Sequence, residues 1–344
     1  MSKILFKPNQ TTKRLIQDLP DRSKDVIVSR YGLGEKKRTE TLDSIGKRYG
    51  ITRERVRQIE NHAIKLIQES SALVKEAQAF DQLEESIREL GGILTETSIL
   101  ETLSDDAETQ NHIYFMLVVG DSFTHAKQDK DFAKRWFVDV DIAKAVESAL
   151  KEVHNKVRPS DVLSEDQLVE HVMSCLTRVN AKYRNRDTIL RWLDMSECLI
   201  KNPLNEWGRE TAQGIKTKNM RDYAYLAMKR NGSPMHFREV AKAISDLFGK
   251  KAHQATVHNE LIKDERFVLM GRGMYALQEW GYRVGPVATI IEQILKENGP
   301  LTREEIIERV GKERHVKTNT ILVNLQSDKF KKGKDGTYSL NKKK

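Results

Sequence analysis

The chain of 344 residues carries 59 Lys and Arg side chains against 50 Asp and Glu, a net charge of +9, and it is 38% hydrophobic. That apolar share is too small for one thick core but is enough for several small domains. Two cysteines cannot staple a secreted disulfide scaffold, and no apolar run approaches the roughly 20 residues that cross a bilayer. We therefore expect a cytoplasmic, multi-domain protein with no membrane partner.

Charge is unevenly distributed along the chain. The net charge is +7 over residues 1–80, −9 over residues 81–212 and +11 over residues 213–344. Regions of opposite sign usually have different partners. The two basic ends favour contact with nucleic acid, whereas the acidic middle would repel phosphate and requires another partner.

The first predicted helix follows a polar lead. It begins at Pro20, where the missing amide hydrogen costs nothing, and it ends at Gly32. The segment GEKKRTE that follows is typical of a solvated link. This part of the chain thus contributes one short helix before the next motif.

Residues 41–67 predict a helix-turn-helix. The turn falls at Gly50, and Thr52 is placed to cap the second helix. An apolar stripe that includes Val56 and Ile67 defines the buried face of that helix. The candidate DNA-binding residues are Thr52 and the side chains expected on the outer face of that helix, Arg53, Glu54, Arg57, Gln58 and Asn61. Arg can read guanine, Gln and Asn can read adenine, and Glu can accept a hydrogen bond from cytosine. A merely solvated amphipathic helix is the alternative.

The string TRERVRQIE, preceded by TLDSIGKRYGI and LPDRSKDVIVSRYGLG, resembles region 4 of primary-type bacterial sigma factors over roughly residues 15–68. The resemblance implies that Arg53, Glu54, Arg57 and Gln58 contact a minus-35 promoter element in the major groove. It also implies that the helix at 20–31 docks on the beta flap of RNA polymerase. His62 departs from the pattern, since those factors usually carry Lys or Arg there. We find no counterpart of the aromatic-rich region with which sigma factors open the minus-10 element.

Four short segments repeat one helix-start pattern through the rest of the chain. They read LTETSI, LSEDQL, MHFREV and LTREEI, and their expected N-cap residues are Thr95, Ser164, His236 and Thr302. Each has an apolar residue directly before the cap and another four positions after it, the spacing of a hydrophobic staple. Three of the four add a capping-box partner: Gln167, Glu239 and Glu305.

Each of these segments is preceded by a helix and followed by a second helix and a short hairpin. The order helix, helix, helix, hairpin predicts a winged helix. The third copy resembles the HARE-HTH type that the delta subunit of bacterial RNA polymerase shares, through GSPMHFREVAKAI and TVHNELIKDERFVLMGRGMYALQEWG. We therefore expect a mainly α array with short β-hairpin wings: a helix-turn-helix domain at 1–79, then winged helices at 80–139 (module 1), 140–214 (module 2), 215–285 (module 3) and 286–344 (module 4).

The modules differ in charge and hence in expected role. Modules 3 and 4 carry side chains that could follow a phosphate backbone: Lys250, Lys251, His253, Gln254, His258, Arg272, Lys317, Lys329, Lys331, Lys332 and Lys334. A soluble basic surface is the alternative, since lysine-rich loops often only solvate a protein. Modules 1 and 2 are acidic, and we interpret them as spacers or protein-docking modules.

No catalytic, cofactor or metal site is predicted. His171 and Cys175 share a helix face, but a zinc site would need a fourth ligand and paired cysteines, so Cys175 and Cys198 are expected to be buried core thiols. We predict a non-enzymatic transcription factor that reads a minus-35-like element in double-stranded DNA together with RNA polymerase, without a small-molecule substrate. The alternative is a polymerase-associated interaction protein that docks on the beta flap and contacts DNA only incidentally. A nuclease would require metal-dependent turnover, which we do not expect.

Overall fold

The computed structural model describes residues 4–35, 37–177, 179–283, 285–314 and 316–341. The protein is mainly helical with small antiparallel sheets, as predicted. It divides into two compact units: Met1–Lys201 with Asn205–Ala212 form the N-terminal unit, and Asn202–Leu204 with Gln213–Lys344 form the C-terminal unit. Within the described ranges no helix combines the length and the apolar character needed to cross a bilayer.

The N-terminal unit begins with five helices. They are α1 (Pro8–Leu15), α2 (Asp21–Tyr31), α3 (Leu42–Tyr49), α4 (Arg53–Gln68) and α5 (Ser71–Lys75). The expected polar lead was wrong, because α1 is a packed helix whose Thr11, Thr12 and Leu15 are buried. Two of these three buried residues are threonines, so the segment lacks the apolar periodicity from which a helix is predicted.

The helix-turn-helix of α3 and α4 is confirmed. Thr41 and Thr52 each accept a hydrogen bond from a backbone amide three residues on, which caps α3 and α4. Gly50 ends α3 in the left-handed conformation at φ 65°, and Gly32 ends α2 in the same way at φ 66°. Val56 is fully buried, as the predicted stripe requires.

Modules 1 and 2 complete the N-terminal unit. Module 1 contains α6 (Ala77–Leu90), β1 (Ile93–Thr95), α7 (Glu96–Leu103), α8 (Ala107–Val119), β2 (Thr124–Ala126) and β3 (Arg135–Phe137). Module 2 contains α9 (Val140–Lys156), β4 (Val162–Leu163), α10 (Glu165–Cys175), α11 (Arg186–Leu193), β5 (Leu199–Lys201) and β6 (Trp207–Arg209). In each module the last strand lies at the centre of a three-stranded antiparallel sheet.

Modules 3 and 4 lie in the C-terminal unit. Module 3 contains α12 (Met220–Asn231), β7 (Met235–His236), α13 (Phe237–Phe248), α14 (Gln254–Lys263), β8 (Phe267–Gly271) and β9 (Met274–Leu277). Module 4 contains α15 (Val287–Asn298), α16 (Arg303–Glu313), α17 (Thr318–Leu325), β10 (Phe330–Lys332) and β11 (Tyr338–Leu340). The order of helices and strands in all four modules agrees with the repeated pattern.

The helix starts that define the repeat behave as predicted. Thr95, Ser164, His236 and Thr302 are N-cap residues, and the last three form the expected capping boxes. The structure adds one feature, a short strand before the capped helix in modules 1 to 3. In module 4 a single bridge between Leu301 and Tyr338 takes its place. These strands have only two or three residues, too few for an alternating pattern to be recognised.

One apolar core is shared by the helix-turn-helix region and module 1. It includes Ile27 and Ile67 from the first region and Phe80, Leu83 and Phe115 from the second. The core is therefore continuous across residue 79, where the sequence suggested a domain boundary. The main core of module 2 also includes Ile93 and Phe132 of module 1, whereas modules 3 and 4 each contain a separate main core.

Candidate nucleic-acid interface

The N-terminal half of α4 presents a polar face to solvent. Arg53, Glu54, Arg57, Gln58 and Asn61 are all exposed on it, and Thr52 caps the helix directly before them. On the opposite side, Val56, Ala63 and Ile67 are buried. The cap and the buried side fix the orientation of the helix, so the predicted reading residues form one continuous surface.

Hydrogen bonds preorganise part of this surface. Arg57 donates to both carboxylate oxygens of Glu54, at 3.0 and 2.7 Å, and Arg55 donates to Gln58 Oε1 at 2.9 Å. The hydrogen bond from Arg57 holds the pKa of the Glu54 carboxyl below its ordinary value, so Glu54 is ionised at neutral pH. To bind a base edge or a phosphate with its full donor set, Arg57 must exchange Glu54 for the nucleic acid.

The side of the domain opposite this face is covered by module 1. The ring of Tyr31 at the end of α2 packs against Phe115 of α8 with centroids 5.0 Å apart. The side-chain amide of Asn111, also on α8, donates to the carbonyls of Gly32 and Lys37 at 3.3 Å each. Lys37 additionally pairs with Glu108 at 2.7 Å. The predicted link thus contributes directly to the interface.

This packing changes the expectation for α2. Along the helix Asp21 and Arg22 are exposed, while Val26, Ile27 and Tyr31 are buried. The most accessible surface that α2 offers a partner without displacement of module 1 is therefore its N-terminal end. The sequence did not reveal this, because the covering element lies 80 residues further along the chain.

In module 3, the predicted phosphate-binding side chains lie at two places around α14. Lys250 and Lys251 are exposed directly before the helix, and the ammonium of Lys250 lies 4.2 Å from the ring centroid of Tyr223. Arg272 is exposed at the tip of the hairpin between β8 and β9, with φ 52°. The tight turn imposes this left-handed conformation on a non-glycine residue. His258 is less accessible than these cations: its ring is half-buried and stacks on Phe237 with centroids 4.4 Å apart.

In module 4, Lys317 is exposed at the N-cap position of α17, and Lys331 and Lys332 are exposed on β10. Successive residues of a strand point to opposite faces. Lys331 and Lys332 therefore project from opposite faces of the hairpin, and Lys332 lies 5.9 Å from the ring of Tyr338. A nucleic acid bound on one face of the hairpin would therefore contact Lys317 together with either Lys331 or Lys332, and not with both.

The sequence did not single out the outer faces of α14 and α17. The inner sides of these helices belong to the cores of their modules: Val257 and Leu261 are buried on α14, and Ile321 and Leu325 on α17. The residues opposite them, however, are exposed on both helices. A helical-wheel comparison of positions 255, 259 and 262 with positions 257 and 261 would have revealed the open side.

The two thiols have different surroundings. Cys175 is buried in the core of module 2, as predicted, and it accepts a hydrogen bond from Lys156 at 3.4 Å. Cys198 is only partly buried, which corrects the prediction, and desolvation raises the pKa of its thiol. Across the described ranges no three His, Cys, Asp or Glu side chains are arranged to hold a metal ion.

Comparison with known proteins shows that the α4 surface lies within a segment that matches a known protein family. Residues 15–69 match the family model "Sigma-70, region 4". The chain is similar to the RNA polymerase principal sigma factor HrdD of Streptomyces griseus, with 52% identity over 50 residues, which are 14% of this chain and 15% of that protein. It is also similar to the RNA polymerase sigma factor RpoD of Helicobacter pylori, with 49% identity over 51 residues, 15% of this chain and 8% of that protein. Residues 15–69 thus form a sigma-70 region 4 domain, and less than a sixth of either relative's length is matched.

Proposed function

We propose that this protein is a DNA-binding transcription factor that recognises a minus-35-like promoter element through α4 and acts together with RNA polymerase. The observation that carries the proposal is the exposed, capped face of α4 within a sigma-70 region 4 domain. An α-helix fits the major groove, and Arg53, Arg57 and Gln58 can donate there to guanine or adenine. The protein is a reader of DNA and not an enzyme, and it acts in the cytoplasm.

The four modules are winged helices in this proposal, the third of the HARE-HTH type. Their element order supports that assignment, since a helical trio is followed by a hairpin whose last strand lies centrally in modules 1 to 3. Lys250, Lys251, Arg272 and Lys317 then extend the phosphate contact begun by α4. Several weak modules on one chain raise the effective concentration of each module along the same DNA.

Association with RNA polymerase follows from the likeness to two RNA polymerase sigma factors over the same segment. The beta flap remains our proposed contact, but it must be reached through surface that module 1 leaves open. The exposed N-terminal end of α2 at Asp21 and Arg22 offers such a surface. Binding of the polymerase core to the R22A variant would test this contact, and equal binding of the variant and the parent would contradict it.

The test of promoter reading is DNA binding by a double variant, Arg53→Ala with Arg57→Ala. On a minus-35-like duplex we expect the affinity to fall by about tenfold or more, because a good bidentate contact contributes roughly 1–3 kcal/mol of base discrimination. If both arginines contact phosphate, the slope of log affinity against log salt should also fall by about 0.9 for each phosphate that is no longer neutralised. Fluorescence anisotropy over a salt series measures both quantities.

The matched control removes the same charge elsewhere on the domain. Lys13 on α1 and Lys75 on α5 are exposed and lie outside α4. The Lys13→Ala, Lys75→Ala variant should retain discrimination between the minus-35-like duplex and a scrambled duplex. Equal affinity of the parent and the Arg53, Arg57 variant for the minus-35-like duplex would sink the proposal. A parent affinity independent of salt would instead favour the polymerase-associated interaction protein.

A further inference from the structure

The outer face of α14 in module 3 combines an amide with apolar groups. Ala255, Asn259 and Ile262 are exposed at positions i, i+4 and i+7, directly opposite the buried Val257 and Leu261. Ile262 is 62% exposed, which is unusual for an isoleucine. None of these three outward residues carries a charge.

The outer face of α17 in module 4 has the same character at equivalent positions. When TVHNEL of α14 is aligned with TILVNL of α17, residues 255, 259 and 262 correspond to Asn319, Val323 and Gln326. All three are exposed, and Val323 is 66% exposed. Each helix therefore presents at least one amide and at least one apolar side chain. Along the chain the order is apolar, amide, apolar on α14 and amide, apolar, amide on α17.

These groups match the major-groove edges of A·T base pairs. An Asn or Gln amide pairs with the N6 and N7 atoms of adenine, and an apolar side chain contacts the methyl group of thymine. Among the residues that the structure describes, neither Asn259 nor Asn319 has a side-chain hydrogen bond, so both amides are available. We propose that α14 and α17 bind A·T-rich double-stranded DNA in the major groove, a sequence class distinct from that read by α4.

Charge at the margins of both helices supports DNA as the occupant. Lys251 precedes α14, Arg272 lies at the hairpin tip of the same module, and Lys317 precedes α17. None of these three cations has an ion-pair partner within the described part of the chain. A face that is uncharged at its central positions, with Lys263 at the C-terminal end of α14 and other cations at its edges, suits a duplex, in which the base edges lie between two rows of phosphates.

The surface of α4 offers different chemistry. Its Arg53, Arg57 and Glu54 suit guanine and cytosine, in addition to the adenine-reading Gln58. The inference rests on the proposed DNA-binding function but concerns other residues. The two can therefore fail separately, provided that the probes for α14 and α17 lack a minus-35-like element.

The experiment uses the full chain and three duplexes of equal length without a minus-35-like element. Their central blocks consist of A·T pairs in mixed order, G·C pairs, or inosine·cytosine pairs. Inosine lacks the 2-amino group of guanine, so an inosine·cytosine pair resembles A·T in the minor groove and G·C in the major groove. We expect about tenfold tighter binding to the A·T duplex, with the inosine duplex bound as weakly as the G·C duplex.

Variants assign the preference to residues. Asn259→Ala with Asn319→Ala should reduce binding of the A·T duplex to the level of the G·C duplex. The control Gln213→Ala with Gln278→Ala removes two exposed amides of the C-terminal unit that lie outside both faces, and it should keep the preference. Circular dichroism of each variant verifies that the exposed substitutions leave the fold intact.

Three outcomes would overturn the inference. Equal affinity for all three duplexes would show that neither helix reads base pairs, and the exposed Ile262 and Val323 would then belong to another partner. Inosine bound as tightly as A·T would place the readout in the minor groove. A preference abolished by the Arg53, Arg57 variant but kept by the Asn259, Asn319 variant would assign it to α4, leaving the proposed function intact.

Discussion

The third helix of the repeated module is packed against a neighbouring segment in the N-terminal unit, whereas in the C-terminal unit it leaves one face exposed. In module 1, α8 is packed against the sigma-70 region 4 domain, with Phe115 fully buried. In module 2, α11 is packed against module 1, where the indole of Trp192 donates to the carbonyl of Gly91 at 3.2 Å. In the C-terminal unit, α14 and α17 each leave a face open, on which Ile262 and Val323 are exposed.

Local composition explains the difference. The segment HIYFMLVV of α8 is apolar on nearly every side, and such a helix must be buried. The outward positions of α14 and α17 instead hold amides and small apolar groups within a basic region. One order of elements therefore has two outcomes: the acidic modules pack the third helix against neighbouring segments of the N-terminal unit, and the basic modules leave one face of it exposed.

The largest expected effect tests the buried state of α11. Trp192→Ala should destabilise the N-terminal unit by about 3–5 kcal/mol, because it leaves a cavity in the core and an unpaired carbonyl at Gly91. Val323→Ala on α17 removes an apolar side chain that is 66% exposed on the open helix and should change stability by at most about 0.5 kcal/mol. Denaturant titration, with hydrogen exchange resolved by peptide, assigns each destabilisation to its unit.

That pair of variants can contradict the comparison directly. If Val323→Ala destabilises the protein as strongly as Trp192→Ala, α17 is a packed helix and its face is not available. If Trp192→Ala increases exchange only within α11 and leaves module 1 protected, the packing of α11 does not stabilise module 1. Either result would remove the distinction between the acidic and basic modules.

A smaller effect is expected at two helix ends that share one backbone conformation. Gly32 after α2 and Gly249 after α13 have φ 66° and 62°, and an alanine there costs roughly 1–2 kcal/mol from the left-handed backbone alone. At Gly249 a Cβ would meet nothing within 4 Å, but at Gly32 it would lie 2.7 Å from the amide nitrogen of Asn111.

We therefore expect Gly32→Ala to destabilise its unit more than Gly249→Ala, by about a further 1 kcal/mol. The Asn111 amide cannot retreat freely, since it donates to Gly32 and Lys37. Thermal unfolding of both variants measures the difference. Equal destabilisation would mean that α8 yields at this contact and that module 1 is not fixed to the region 4 domain.

Sequence reasoning succeeded where the signal was local. N-caps at Thr52, Thr95 and Thr302 and the helix break at Gly50 depend on neighbouring residues alone, and the structure confirms them. It failed where distant segments decide the outcome. The helix α1 uses buried threonines in place of an apolar stripe, and the covering of α2 by α8 depends on residues 80 positions away. The open faces of α14 and α17 could be predicted only once their buried sides had been separated from the rest of each helix.

The smallest expected effect concerns a buried histidine at the contact between α1 and α8. His112 is 1% exposed, and its Nδ1 shares a hydrogen bond with Thr12 Oγ1 at 2.5 Å. Burial lowers the pKa of His112 below its ordinary value of 6.5. Glu108 and Asp106 oppose that shift, and Lys13 adds to it. Folded protein therefore keeps this imidazole neutral at a pH where the unfolded chain would bind a proton.

The sign of the pH dependence follows from that difference. Below about pH 6.5 the unfolded state takes up more protons than the folded state, so stability of the N-terminal unit should fall as the pH decreases. His112→Asn keeps a polar atom near the position of Nδ1 but does not titrate, and its melting temperature should decline less between about pH 7.5 and 5.5. The control is His62→Asn, which makes the same substitution on the exposed surface of α4. If the His112→Asn variant declines as steeply as the parent chain, protonation of His112 does not weaken the contact between α1 and α8.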